Sequence, residues 1–153
     1  MTERIYHYTI DEEGTVWHDG AEVDDPAVLK LFFKNLKPTD DGRFVALCQG
    51  ETCYFKAVDV PMVVQKIEIK KEREKIKEIL LFFPGEVSEP LDAESLFVGK
   101  KNVLYCRIRN GSLVARFNRK SYWELAQEIR QDKESHLFFL EIKGRKQTIP
   151  TVS

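Results

Sequence analysis

Two stretches of the chain space their apolar residues as one face of an α-helix does, at positions i, i+3, i+4 and i+7. The two stripes are Leu29, Phe32, Phe33 and Leu36, and Tyr122, Leu125, Ala126 and Ile129. Each stripe precedes a short apolar run typical of a buried strand, at 44–47 and at 137–140. The stripe and the run both recur after 93 residues, from 29 to 122 and from 44 to 137. This repetition predicts an α+β fold of two related β-β-α-β units packed together.

The boundaries of the two units follow from the residues between them. Pro84 and Gly85 interrupt the apolar pattern, and a strand pattern returns only at Val103. We therefore predict one α+β unit at residues 1–83, a linker at 84–102 and a second unit at 103–153. Units of this size bury too little apolar surface to be stable alone, so the two are expected to share one core.

Capping residues place the ends of the two predicted helices. Asp25 is a favourable N-cap and Pro26 suits the first helical position, so the first helix is expected from Pro26 to about residue 37. Ser121 and Glu124 have the spacing of a capping box, which predicts the start of the second helix. That helix is expected to end near residue 132.

Two hairpins are predicted away from the helices. Asn110 and Gly111 form a turn signal between two strand patterns. The stretch at 70–78 fits either a helix, because Ile69, Ile76 and Ile79 share one helical face, or a hairpin, because residues 67–69 alternate. We favour a charged hairpin whose tip lies at residues 71–75.

Composition excludes several classes of protein. The chain has 153 residues, of which 42% are hydrophobic and 32% charged, as in soluble globular proteins. It contains no apolar run of the roughly 18 residues that a membrane span needs and no apolar leader, so we expect a cytoplasmic protein that makes no membrane contact.

Cys48, Cys53 and Cys106 are then expected as reduced thiols, although Cys48 and Cys53 flank a hairpin tip and could approach each other. No Cys/His spacing matches a zinc site, so we expect no metal and no other cofactor.

The charge is distributed unevenly along the chain. Residues 1–60 carry a net charge of −6 and residues 93–153 a net charge of +6, within a total of −1. The two halves are therefore expected to attract each other, within one chain or between two copies. The alternative is that each half simply has a solvated charged surface.

Two sets of residues carry a resemblance to a known family. The first is Trp17-His18-Asp19-Gly20, Val28-Leu29-Lys30-Leu31-Phe32 and Val58-Asp59-Val60-Pro61; the second is Arg107-Ile108-Arg109-Asn110-Gly111 with Leu113, Ala115, Asn118-Arg119 and Leu125. In these segments the chain resembles a bacterial family catalogued as domain of unknown function 1285. The resemblance implies a duplicated α+β core, a second half similar to pleckstrin-homology domains, and a site between the halves. It also implies a role in signalling, without a defined activity.

Four arginines form a candidate anion site. Arg107, Arg109, Arg116 and Arg119 lie on two predicted strands and the helix start that follows, and alternation predicts that Arg107 and Arg109 share a strand face. Guanidinium groups bind carboxylate or phosphate in a bidentate manner, and the helix start after Asn118 adds backbone donors. The alternative is a solvated strand face, or arginines that pair with the acidic first half, and we favour this alternative for Arg116 and Lys120.

Two other motifs have a catalytic and a structural interpretation. His18, next to Asp19, could act in acid–base chemistry, or Trp17 could pack in the core with His18 and Asp19 on a turn. Cys106, next to Arg107, could be a nucleophile, but adjacent strand residues point to opposite faces. We favour the structural interpretation of both motifs.

The sequence therefore predicts a non-enzymatic ligand-binding or regulatory module with a site between its halves. Its ligand is expected to be a small anionic molecule or an acidic peptide, held by Arg107 and Arg119 with Trp17 and His18 nearby. One alternative is an enzyme that uses Cys106 or His18; another is a structural interaction domain, dimeric through an exposed strand edge. Nucleic-acid binding is disfavoured because the net charge is slightly negative.

Overall fold

The described part of the chain, residues 4–152 of a computed structural model, contains sixteen strands and two α-helices. Six strands form the first sheet: β1 (Arg4–Ile10), β2 (Val16–His18), β3 (Ala21–Val23), β4 (Lys37–Pro38), β5 (Phe44–Cys48) and β6 (Glu51–Ala57). Their spatial order is β3-β2-β1-β6-β5-β4. The central strands β1 and β6 are parallel, with Arg4 opposite Glu51, and the other neighbours are antiparallel.

Helix α1 (Pro26–Asn35) begins at the predicted cap and ends earlier than predicted. The Asp25 side chain accepts a hydrogen bond from the Ala27 amide at 2.9 Å, which satisfies a backbone donor that has no partner within the helix. At the other end Leu36 is extended and the next two residues already form β4, so the helix stops before residue 37.

One face of the six-stranded sheet is covered by α1. The Phe32 ring lies 4.9 Å from the Tyr8 ring and 5.0 Å from the Phe55 ring, measured between centroids. Because strand side chains alternate, the neighbours of Tyr8 and Phe55 point to the opposite face, which we call the outer face. It carries His7, Thr9, Tyr54 and Lys56.

Ten further strands form three smaller sheets. They are β7 (Met62–Val64), β8 (Lys66–Glu72), β9 (Lys75–Phe83), β10 (Val87–Pro90), β11 (Phe97–Val98), β12 (Leu104–Ile108), β13 (Leu113–Phe117), β14 (Arg130–Gln131), β15 (Phe138–Ile142) and β16 (Arg145–Thr148). The spatial orders are β10-β9-β8, β11-β12-β13-β7 and β14-β15-β16. Helix α2 (Arg119–Ala126) follows β13. The structure therefore confirms the α+β class.

The stretch at 70–78 is a hairpin, as predicted. Strands β8 and β9 are antiparallel, with an irregularity in their register between Lys70 and Lys71. Arg73 and Glu74, between the strands, have φ values of 53° and 67°. Two consecutive residues with positive φ are typical of the tight turn that joins twisted strands.

The segment at 84–102 has a regular structure. It contains β10, β11 and three short 3₁₀ turns, and its side chains Leu91, Ala93 and Leu96 are buried. Gly85 has a φ of +78°, and a Cβ atom there would lie 2.4 Å from the Lys30 nitrogen of α1. The segment therefore packs directly on α1, while the predicted division into two units stays a prediction.

Helix α2 begins directly after Asn118, as the candidate anion site assumed, but it differs from the prediction in its capping residue and at its C-terminal end. Its N-cap is Asn118, whose side-chain oxygen accepts the Ser121 amide proton at 2.8 Å, so the predicted capping box is wrong. The Ser121 hydroxyl is buried and donates to the Val64 carbonyl at 3.1 Å instead. The helix ends at residue 126 rather than 132 because β14 begins four residues later. Tyr122, on the predicted apolar stripe, is 41% exposed.

The order of elements is similar in the two halves, whereas the strand pairing differs. In the first half the hairpin β2–β3 precedes α1, and the short strand β4 pairs with β5 of the hairpin β5–β6. In the second half the hairpin β12–β13 precedes α2, and the short strand β14 pairs with β15 of the hairpin β15–β16. The short strands begin at Lys37 and at Arg130, again 93 residues apart. In the first half both hairpins belong to one sheet, but in the second half they belong to different sheets.

The two halves share one hydrophobic core, as predicted. A continuous cluster of buried side chains runs from Ile10 in β1 to Ile149 after β16, and it includes Phe33 of α1 and Leu125 of α2. Burial of this shared surface is the main favourable contribution to folding.

Arg109 joins the halves by capping α1 from the second half. Its guanidinium donates to the Leu36 carbonyl at 2.8 Å and to the Phe33 carbonyl, and its own amide donates to the Glu89 carboxylate at 3.1 Å. The carbonyls at a helix C-terminus have no partner within the helix, and the macrodipole favours a cation there. The prediction that Arg107 and Arg109 share a strand face is wrong, because β12 ends at Ile108 and Arg109 is a turn residue with a φ of 51°.

We expect Arg109→Ala to lower the free energy of unfolding by about 2–3 kcal/mol, because it leaves buried carbonyls without a charged donor. Arg107→Ala is the matched control, since Arg107 is exposed and should cost less than about 0.5 kcal/mol. Urea denaturation of the two variants measures the difference. Equal losses would show that the Arg109 cap does not stabilise the fold.

We expect Gly85→Ala to lower the free energy of unfolding by about 3 kcal/mol or more, because the added methyl group collides with the α1 backbone. Gly20→Ala is the control, since Gly20 has a similar φ of +82° with no atom within 4 Å of the added methyl group. That variant should cost about 1 kcal/mol. A Gly85→Ala variant as stable as Gly20→Ala would contradict the close packing of residues 84–102 on α1.

Candidate ligand site at the seam between the halves

A groove follows the seam between the first and second halves of the chain. It consists of two adjoining depressions, of about 400 and about 450 Å³, that share Glu12, Lys101, Val103 and Arg116 as lining residues. We call it the seam groove. The first half contributes Glu12, Glu13, Val58 and Asp59. On the opposite wall, Lys100 and Lys101 come from the end of the segment at 84–102, and Arg116 and Arg119 come from the second half.

A hydrogen-bonded triad connects the two walls of the seam groove. One oxygen of Asp59 accepts hydrogen bonds from the Tyr105 hydroxyl at 2.7 Å and from the Arg116 guanidinium at 3.0 Å. Burial, reinforced by the carboxylate of Asp59, raises the pKa of Tyr105 to about 12, so the hydroxyl remains a donor. Arg116 is thus paired with a carboxylate of the acidic first half, which is one of the two structural roles expected for it.

A tight loop forms one wall of the groove. Lys101 and Asn102 both have a φ of 59°, which non-glycine residues rarely adopt. Gly99 precedes them, and a Cβ atom there would lie 2.7 Å from the Tyr105 ring. Tyr105 also stacks on Phe97, with centroids 5.3 Å apart. The loop is therefore held against Tyr105 by close packing.

Three cations of the groove are not neutralised by a neighbour. Lys100, Lys101 and Arg119 are exposed, and none of them forms an ion pair with another described residue. Arg119 is the first residue of α2, directly after the Asn118 cap. Glu12 and Glu13 on the opposite wall limit the positive potential. A carboxylate or phosphate that approaches the second-half wall can therefore be bound by Lys101 and Arg119.

The four predicted ligand-binding residues lie in three different places. Arg119 lines the seam groove. Arg107 is exposed on β12, and its backbone amide donates to the Ser95 hydroxyl at 2.9 Å; its side chain lines neither depression. Trp17 and His18 belong to the six-stranded sheet. The structure therefore does not bring all four together.

Trp17 and His18 point to opposite faces of the six-stranded sheet. Trp17 is half-buried and lines a separate cavity on the outer face, so the interpretation of Trp17 as a core residue is wrong. The His18 ring contacts the Tyr8 ring at 4.7 Å on the α1 face. Its Nδ1 lies 3.0 Å from the His7 carbonyl oxygen, and its Nε2 lies 3.4 Å from a carboxylate oxygen of Asp19.

The three cysteines are buried free thiols. Burial raises the pKa of Cys53 to about 11 and, with the nearby Glu89 and Asp92 carboxylates, that of Cys106 to about 12. A thiol with a raised pKa and no solvent access is a poor nucleophile. The geometry therefore opposes the enzyme hypothesis that relied on Cys106.

Within residues 4–152, no group of three or more His, Cys, Asp or Glu side chains has a geometry that could hold a metal ion. None of the helices there combines the length and the apolar character needed to cross a bilayer.

The sequence reasoning missed three residues of the seam groove: Asp59, Tyr105 and Lys101. Asp59 lies in the first family-like segment, and the excess of basic residues after residue 93 is a sequence signal for a partner such as Arg116. Tyr105 alternates with Arg107 along β12, which indicates that both point away from the core. No sequence signal indicates that the loop with Lys101 folds over Tyr105.

Comparison with solved structures identifies the fold. A DUF1285 family protein from Silicibacter pomeroyi DSS-3 is similar with a TM-score of 0.72 and 20% sequence identity, over 96% of this chain and 82% of that chain. A DUF1285 family protein from Shewanella baltica OS155 is similar with a TM-score of 0.63 and 15% identity, over 80% of this chain and 92% of that chain. No protein-family model and no curated protein matches the sequence. The chain therefore has the fold of DUF1285 proteins, which confirms the predicted resemblance at the level of the fold.

We expect Cys106 to react with iodoacetamide at pH 8 about 100-fold or more slowly in the native protein than in urea, because the buried thiol stays protonated. Mass spectrometry of the peptide that contains Cys106 measures both rates. Native labelling at the rate of an unfolded thiol would restore Cys106 as a candidate nucleophile.

Proposed function

We propose that the protein is a non-catalytic binding module with a regulatory role, and that its ligand site is the seam groove. The ligand is a small molecule with a carboxylate or phosphate group, or an acidic peptide that presents the same chemistry. Arg119 and Lys101 bind the anionic group. Arg107, Trp17 and His18, which the sequence also predicted at this site, lie outside the groove.

The proposal depends on one observation: some cations of the groove are paired with a carboxylate and others are not. Arg116 is 3.0 Å from the Asp59 carboxylate and serves the structure, whereas Lys101 and Arg119 have no acidic partner among the described residues. Cations without a partner, beside a concave surface of several hundred Å³, suit an anionic ligand. The buried Cys106 leaves the groove without an activated nucleophile, which supports binding rather than catalysis.

We also infer membership of the DUF1285 family, a duplicated origin of the two halves, and a second half similar to pleckstrin-homology domains. The two structural neighbours and the family-like sequence segments support membership. The recurring order of hairpin, helix, short strand and hairpin supports duplication. A signalling role, a cytoplasmic location and a homodimer stay predictions.

We expect millimolar citrate or inorganic phosphate to raise the melting temperature, by about 3 °C at a ligand concentration ten times the Kd. Arg119→Ala and Lys101→Ala should each abolish most of this shift. Lys120→Ala is the matched control, because Lys120 is an exposed cation next to Arg119 that does not line the groove. Thermal-shift titration at constant ionic strength measures all four proteins.

Two outcomes would contradict the proposed site. If neither anion, nor a glutamate-rich peptide tested in the same way, stabilises the wild-type protein, the groove is not an anion site. If Lys120→Ala weakens the stabilisation as much as Arg119→Ala does, the anion is attracted by the overall positive charge of the second half and is not bound at the groove.

A further inference from the structure

The outer face of the six-stranded sheet contains a second cavity, of about 390 Å³, that is separate from the seam groove. Trp17, Thr9 and Lys56 form one row across β2, β1 and β6, because Thr9 pairs with Trp17 on one side and with Lys56 on the other. Adjacent strands are about 4.8 Å apart, so Trp17 and Lys56 are separated by about 10 Å, with the small Thr9 side chain between them. We call this space the sheet-face cavity.

One wall of the sheet-face cavity is the indole of Trp17, which polar contacts hold in place. Its Nε1 donates to Asp11 at 2.9 Å, and the other carboxylate oxygen of Asp11 accepts the amides of Glu13 and Thr15, each at 2.9 Å. The polar end of the indole is therefore satisfied by the protein. Its apolar surface lines the cavity without burial in the core.

The opposite wall is a stack of rings with a cation at one end. The Tyr54 ring stacks on His7, with centroids 5.8 Å apart and planes inclined by 19°. The Arg43 guanidinium lies 4.5 Å from the Tyr54 centroid and is held by Asp41 at 2.8 Å. Cation–π contact and the ion pair fix this wall before any ligand arrives.

The charged groups at the cavity are Lys56, Arg43 and Asp19. Arg43 is already paired with Asp41, whereas exposed Lys56 forms no ion pair with another described residue. Asp19 is at the rim in a turn, with a φ of 50°, and its side chain is 90% exposed. Lys56 is thus the cation available to a ligand.

We propose that the sheet-face cavity binds a planar aromatic molecule that carries a phosphate or carboxylate group. The ring lies between Trp17 and the Tyr54–His7 stack, and the anionic group is bound by Lys56. Stacking on fixed aromatic side chains and a charge-assisted contact each contribute to affinity, so neither a neutral ring nor a bare anion binds as well.

The test is a titration of the ¹⁵N-labelled full chain followed by NMR. Adenosine 5′-monophosphate and indole-3-acetate are the aromatic anions; adenosine and ribose 5-phosphate are the matched compounds that lack the charge or the ring. We expect either aromatic anion to shift the Trp17 indole N–H and the amides of Thr9, Gly20 and Lys56. Adenosine and ribose 5-phosphate should shift them much less at equal concentration.

Matched variants measure how much each side chain of the cavity contributes to the binding affinity. Lys56→Ala should weaken binding about fivefold, and Trp17→Ala about tenfold, whereas Trp17→Phe keeps a ring and should retain most of the affinity. Asp19→Asn removes a like charge and should strengthen binding about twofold. Lys37→Ala is the control for net charge, because Lys37 is an exposed cation of the same sheet outside the cavity. Arg119→Ala, in the seam groove, should leave this binding unchanged.

Several results would overturn the proposal. These are the absence of shifts at 10 mM of both aromatic anions, equal shifts with ribose 5-phosphate, and unchanged affinity in both Lys56→Ala and Trp17→Ala. Shifts confined to Lys101 and Arg119 would support the seam groove and reject the sheet-face cavity. Shifts of outer-face residues on protein dilution, without any probe, would assign the face to a second copy of the chain.

Discussion

The contact of Arg109 with the end of α1 connects the two halves of this protein. The guanidinium comes from the β12–β13 turn of the second half and satisfies the carbonyls of Phe33 and Leu36 at the helix end of the first. Burial lowers the pKa of Arg109, but the group stays charged because an arginine pKa begins so high. The contact fixes how the C-terminal end of α1 lies on the second half.

The local structure of this chain is largely predictable from its sequence, because local signals determine it. Asp25 and Pro26 place the start of α1, and the hairpin at 66–83 follows from alternating apolar residues. The predictions fail where a residue far away in the sequence determines the local contact. Asn118 caps α2 and Ser121 bonds to Val64, since β7 lies beside the start of that helix. No local pattern contains that information.

The candidate sites were harder to predict for the same reason. Sequence reasoning grouped Trp17, His18, Arg107 and Arg119, which share chemical character but not a location. One ion pair of the expected sign joins the acidic and basic halves, between Asp59 and Arg116. That pairing removes Arg116 from the set of available cations and leaves Lys100, Lys101 and Arg119. Electrostatic complementarity between the halves thus selects which charges remain for a ligand.

The parallel pairing of β1 with β6 has a consequence for how the chain acquires its structure. In this pair Arg4 lies opposite Glu51, and in the parallel pair of β13 and β7 Ala115 lies opposite Met62, so both pairings join residues far apart in the sequence. Contacts between residues so far apart in sequence slow folding, because the loop between them must close first. During synthesis β1 leaves the ribosome long before its central partner β6 exists, and in the meantime the β1–β2–β3 meander and α1 are the elements that can shield that strand from aggregation.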